Sequence, residues 1–194
     1  MKRMLNVGGG SKTIPIPDYF QGWEHLLLDI SPAGSPDIVC DARRLADLPA
    51  AQFDAVYCSH NLEHYFKHDV GKVLRGFLHV LRDDGFAHIC VPEIGAVMRR
   101  FVSAQMDIED KLYDSAGGPI TVHDVIYGWA RQIEASGVDF YAHKTGFTEK
   151  SLRETLKRAG FAEVYVASIE GSFEVQAVAF KGASKPEQRT IFGI

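Results

Sequence analysis

Apolar residues along this chain follow two rhythms that alternate. Short unbroken runs at residues 4–7, 25–30, 37–41, 53–59 and 86–91 have the length and continuity of parallel strands covered on both faces. Between the fourth and fifth runs, Val70, Val73, Leu74, Phe77, Leu78 and Leu81 recur at the spacing of one helical face. Asp69 stands where a capping residue belongs, and Gly85 supplies a stop. A second helix is expected from a Thr148 cap through Leu152 and Leu156 to Gly160. Two last runs, 162–169 and 174–180, are joined only by the tight link Glu170-Gly-Ser-Phe and read as an antiparallel hairpin.

This order predicts an α/β fold: a Rossmann-like, doubly wound and mostly parallel sheet with an antiparallel hairpin at its C-terminal edge. From 94 to 146 the chain leaves the rhythm, with a helix expected over 122–135 and a shorter one near 96–104. Ligands bind beyond the carboxyl ends of such strands, so this insertion is expected to be a substrate lid within a single domain spanning 1–181. Trp129 and Phe140 are expected to pack that lid. Residues 182–194 are expected to form a loosely ordered tail.

Composition narrows the partners. The 194 residues are 46% hydrophobic and 24% charged, which suits one soluble globular domain. A net charge of −4 without any basic cluster argues against nucleic acid. No apolar run approaches the roughly 20 residues that span a bilayer. Cys40, Cys58 and Cys90 lie in strand-like runs without metal-ligand spacing, which suits reduced thiols and a cytoplasmic location.

The first strand breaks into Gly8-Gly9-Gly10. A P-loop needs glycines where Ser11 and Asn6 stand, so that reading fails. A dinucleotide loop closes onto a helix N-terminus that holds pyrophosphate, whereas Pro15 and Pro17 occupy the helix here. S-adenosylmethionine carries no phosphate and needs only a close-packed glycine turn plus an acid for the ribose hydroxyls. Asp29, about twenty residues after the glycines, stands at the offset of such an acid.

In order, LNVGGGSK, LLLDI, IVCDARRL, FDAVYCSHNLEHY and VLRDDGFAHICVP resemble the motifs of class I S-adenosylmethionine-dependent methyltransferases. More narrowly, the chain is similar to small methyltransferase-like proteins often associated with surface-polysaccharide and glycosyltransferase genes. The resemblance implies that Gly8, Gly9 and Gly10 pack against the methionine and ribose portions of the cofactor. It places Asp29 on the ribose, Ile30 beside the adenine, Asp41 and Ala42 at the adenine edge, and Ser59 and His60 near the methionine and the departing methyl. The family's usual first-motif acid is Asn6 here, whose carbonyl can hold an ammonium, and its last glycine is Lys12, a possible partner for the cofactor carboxylate. The acceptor implied is a small molecule or glycan-related compound methylated at oxygen or nitrogen. The alternative is a catalytically silent methyltransferase-like binding or scaffold protein.

His60-Asn-Leu-Glu63-His64 also matches an inverted zinc-protease pattern. Because His60 directly follows an apolar strand, both histidines are not on one helical face, and no metal site is expected. A hydroxyl acceptor calls for a base near neutral pKa. His60 and His64 are the candidate catalytic residues, with His123, Tyr127 and His143 as candidate substrate contacts from the lid.

Overall fold

The computed structural model describes every residue except Ala116 and Glu170. Five strands run parallel through the middle of the chain's first half: β1 (Arg3–Val7), β2 (Glu24–Asp29), β3 (Ile38–Val39), β4 (Phe53–Ser59) and β5 (Leu81–Pro92). They join β8 (Glu163–Ser168) and β9 (Glu174–Phe180) in one sheet of order β3-β2-β1-β4-β5-β9-β8, with β9 antiparallel to both neighbours. A separate hairpin pairs β6 (Lys111–Ser115) with β7 (Gly118–Thr121). This is the Rossmann-like, mostly parallel sheet with an antiparallel edge that the alternating pattern specifies.

One face of the sheet carries the larger core. Leu5, Val7, Val56, Cys58, Ala87 and Ile89 pack under α1 (Lys67–Val80) and α5 (Glu149–Ala159), together with the turn Ala42–Asp47. Among the described residues, the other face carries no long helix. Met4, Ala55, Phe86 and Phe180 are covered instead by Phe20, Tyr19 and Trp23 and by Phe192 at the chain's end. The prolines that forbid a first crossover helix therefore leave an aromatic loop to seal this face.

Several boundaries differ from expectation for identifiable reasons. The helix α1 begins at Lys67, so Asp69 sits within its first turn and does not cap it. There its charge still faces free amides. The helix ends at Val80 and the chain enters β5 directly, so Leu81 pairs with Phe53 in the sheet and Gly85 belongs to a register irregularity. The strand expected at 37–41 shrinks to two residues. The helix expected over 122–135 is two helices, α3 (Val122–Tyr127) and α4 (Ala130–Ser136). Gly128 divides them at φ +102°, and an added Cβ would lie 2.1 Å from the Tyr141 carbonyl oxygen. The shorter expected helix is α2 (Ile94–Ser103). In the link between the last two strands, Glu170 lies outside the described residues.

The tail is not loose: Pro186–Phe192 forms a helix, α6, begun by proline at its first position. Its amphipathic pattern is too short to read from sequence, but Phe192 lies 5.2 Å from both Tyr19 and Phe86 between ring centroids. Lys185 and Gln188 also bind Asp84. No described helix is long and apolar enough to cross a membrane. Phe192→Ala is expected to cost about 2 kcal/mol, less than a fully buried phenylalanine. Urea unfolding checks this as a lowered midpoint with unchanged slope.

Candidate active site

Four parallel strands end at one edge of the sheet, and each delivers a polar residue there. After β1, Gly8 donates its N–H to the Leu28 carbonyl (2.8 Å) at φ +74°. Two asparagine amides press against this turn. An added Cβ would stand 2.1 Å from Nδ2 of Asn61 at Gly8 and 2.3 Å from Nδ2 of Asn6 at Gly9. Nδ2 of Asn6 lies 3.3 Å from the His25 ring, while Oδ1 of Asn6 and Oδ1 of Asn61 are buried without hydrogen-bond partners. Such orphaned oxygens call for a donor from a ligand.

At the end of β2, Asp29 accepts the Gly10 N–H through Oδ2 (3.1 Å) and the Ser31 N–H through Oδ1 (2.9 Å). A carboxylate has lone pairs to spare beyond these two bonds, so two ribose hydroxyls can still be received. After β3, Asp41 is clamped by the Arg43 guanidinium (2.6 Å), which also reaches Asp69 (3.4 Å). Burial works to raise the Asp41 pKa, but the Arg43 bonds outweigh it and hold the carboxyl below its usual range.

These residues frame a cavity of about 650 Å³ lined by Gly8, Gly10, Asp29, Ile30, Asp41, His60 and His64. A second cavity of about 730 Å³ opens beside it, lined by Asn6, Gly9, Ser59 and His143 under the insertion. The two share Gly8, Gly10, His60, His64 and Tyr141. Ala42 lines neither and is buried as the first residue of the Ala42–Asp47 turn. His123 and Tyr127 also line neither; their rings pack on each other at 5.1 Å. Trp129 lines the second cavity and Phe140 the first, beyond the packing role expected of them. Lys12 is spent on Asp37 (2.6 Å).

Where the cavities meet, histidines surround a buried carboxylate. Glu63 is 1% exposed, and neither of its carboxylate oxygens has a hydrogen-bond partner. Nδ1 of His60 lies 3.6 Å from it and Nε2 of His143 4.0 Å. Nε2 of His60 donates to Glu174 on β9 at 2.8 Å. Burial alone would depress the His60 pKa, but Glu174 and Glu63 together raise it to about 10. His60 is therefore an imidazolium at neutral pH, with no lone pair to serve as a base.

His64 sets both ring nitrogens 3.1 Å from carbonyl oxygens, those of Ala142 and His60, so the ring is held between two acceptors. His143 differs: Nδ1 donates to the Val125 carbonyl (2.8 Å), which fixes the tautomer and leaves the Nε2 lone pair open. Burial depresses its pKa more than Glu63 restores it, so the ring is neutral. Donor atoms of Glu63, His64 and His143 lie within 4.8 Å of one another. Tetrahedral ligands at ~2.1 Å from a metal stand roughly 3.4 Å apart. Nε2 of His143 and the Glu63 carboxylate, 4.0 Å apart, stand wider than that, and the His64 ring is held between two carbonyls.

Sequence reasoning missed Glu174, which lies 114 residues from His60 and has no local signal. It also gave Glu63 no role outside a zinc reading, although the H-x-x-E-H spacing singled it out.

Residues 5–89 match the family model described as methyltransferase domain. The chain carries a class I, S-adenosylmethionine-dependent methyltransferase domain. Solved structures share its fold at low identity. A methyltransferase dependent on S-adenosylmethionine from Archaeoglobus fulgidus is 15% identical over 93% of this chain and 86% of that one, with a TM-score of 0.57. A possible histamine N-methyltransferase from Thermotoga maritima is 14% identical over 93% and 82%, with a TM-score of 0.59. The 1,6-didemethyltoxoflavin-N1-methyltransferase of Burkholderia thailandensis, solved with that compound and S-adenosylhomocysteine, is 18% identical over 93% and 71%, with a TM-score of 0.52. No curated protein matches in sequence.

The cofactor of this methyltransferase is S-adenosylmethionine, and its turn of close-packed glycines, the orphaned asparagine oxygens and Asp29 fit such a group. When bound, it supplies an electrophilic methyl on sulfonium. Because the His60 pKa is raised above its unfolded value, its ion pair stabilises the fold fully below pH ~6.5 and that contribution is lost as pH rises through about 10. In Glu174→Gln, the His60 resonance is expected to titrate at clearly lower pH by NMR. An unchanged titration would show that Glu174 does not hold the charge.

Proposed function

We propose that this methyltransferase moves a methyl group from S-adenosylmethionine, seated in the first cavity, to a small-molecule or glycan-related acceptor in the second. The methylated atom is oxygen or nitrogen. One observation carries the reading: two cavities, one framed by the glycine turn and Asp29, the other by the insertion, meet at Gly8, Gly10, His60, His64 and Tyr141. Bringing acceptor and methyl donor into line there supplies much of the rate, since the sulfonium is already activated.

In this reading Asp29 receives the ribose hydroxyls, Ile30 flanks the adenine, and Asp41 lies at the adenine end with Arg43 across it. The amide oxygen of Asn6, at the wall of the second cavity, accepts from the ammonium, so the methionine end of the cofactor passes the junction. The insertion 94–146 acts as the lid over the acceptor. Turnover is favoured over a silent scaffold because the second cavity reaches the junction and holds a free histidine lone pair. The three free thiols, two of them buried, suit a reducing compartment such as the cytoplasm.

Calorimetry with S-adenosylhomocysteine tests the cofactor half. Asp29→Asn is expected to weaken binding by about 10- to 100-fold, the cost of losing hydrogen bonds to a charged acceptor. Wild-type protein that shows no binding at millimolar ligand would sink the proposal.

A further inference from the structure

The second cavity is walled by the rings of Tyr57, Tyr113, Trp129 and Tyr141, with Pro92 and Ile120. Much of its polar lining is already committed. Asp124 accepts from the Thr121 hydroxyl (2.9 Å) and from the N–H groups of Thr121 and Ala130. Ser115 donates its hydroxyl to the Gly118 carbonyl (2.9 Å), and the His64 ring stands between the carbonyls of Ala142 and His60. A carbohydrate bears a hydroxyl on most ring carbons and needs many free partners, whereas a flat aromatic ring is satisfied by ring faces and one or two polar contacts.

A ring nitrogen adds a polar contact beyond the orphaned Asn6 oxygen. Nε2 of His143 keeps its lone pair because Nδ1 donates to Val125, and His143 lines this cavity. It packs edge-on against His64, 4.9 Å between centroids, and His64 borders both cavities. The Glu63 carboxylate, buried and without a hydrogen bond, stands 4.0 Å from the same nitrogen.

We propose that the second cavity takes a planar aromatic acceptor bearing a hydroxyl, and that Nε2 of His143 receives the proton of that hydroxyl, with Glu63 as the residue that positions the ring and stabilises its cation. This rests on the methyl-transfer reading above. The acceptor oxygen bonds to the sulfonium methyl carbon as the sulfur–methyl bond breaks, with its electron pair left on sulfur. The hydroxyl proton passes to Nε2 of His143. The products are an aryl methyl ether, a neutral thioether and an imidazolium beside Glu63, so charge is conserved. His60 and His64 take no proton in this step.

The probe is 4-nitrophenol, whose absorbance separates phenol from phenolate. It is titrated at mildly acidic pH into protein saturated with S-adenosylhomocysteine. Wild type is expected to bind it and raise the phenolate fraction at least threefold over free solution. His143→Asn keeps a donor for the Val125 carbonyl but lacks Nε2. It is expected to bind the probe within about threefold of wild type yet give no phenolate gain. Glu63→Gln is expected to lower the pH at which His143 titrates by NMR, a change that a purely structural role would not produce.

An equal phenolate gain in His143→Asn overturns the assignment. If that variant fails to fold, NMR of wild type decides, since probe binding must protonate Nε2 of His143. Methyl β-glucoside binding more tightly than 4-nitrophenol overturns the aromatic acceptor. Absence of S-adenosylhomocysteine binding to wild type fails the methyl-transfer reading itself, whereas intact binding without any probe binding fails only this inference.

Discussion

A single buried carboxylate ties this molecule together. The side chain of Glu63 sits among three histidines, and its backbone carbonyl accepts the N–H groups of Lys144 (2.8 Å) and Thr145 (3.1 Å). An ion this deep is tolerated only when opposite charge or strong donors surround it. His60 provides the charge, and the returning strand of the insertion is held by the same residue. Sheet, insertion and the junction of the two cavities are thus fixed by one group.

That balance assigns different work to three similar side chains. His60, between two acids, is a fixed cation. His64, between two carbonyls, is a strut that links the end of β4 to residue 142. His143, with one carbonyl partner on Nδ1, keeps the lone pair on Nε2. Nothing in the identity of the residues distinguishes them; the partners do. A further chain of contacts runs from Glu174 through Gln176 (2.6 Å) to His88 (3.3 Å) and on to Tyr19, carrying the same ordering into the aromatic face of the sheet.

Much of this fold was legible from sequence, because two-sided burial writes itself as continuous apolar strands. The helix caps at Thr148 and Gly160 were read correctly for the same local reason. The glycine turn and Asp29 were legible as well, being close in sequence and tied to strand ends. What escaped was non-local. The helix break at Gly128 depends on contact with Tyr141, and the tail helix depends on a ring pocket built from residues 19, 86 and 180. Histidine roles escaped because they are set by Glu174, Ala142 and Val125, far along the chain from the residues they govern.

The position of β9 has a consequence for how much of this chain makes a unit. Residues 5–89, the portion that matches the family model, contain the glycine turn, Asp29, Asp41 and His60. Cut there, β5 would be truncated and lose its partner β9, exposing a row of unpaired backbone groups on an apolar strand, a template for aggregation. His60 would also lose its counter-ion. The matched segment thus depends on β9, from the far end of the chain, both to cover β5 and to pair His60.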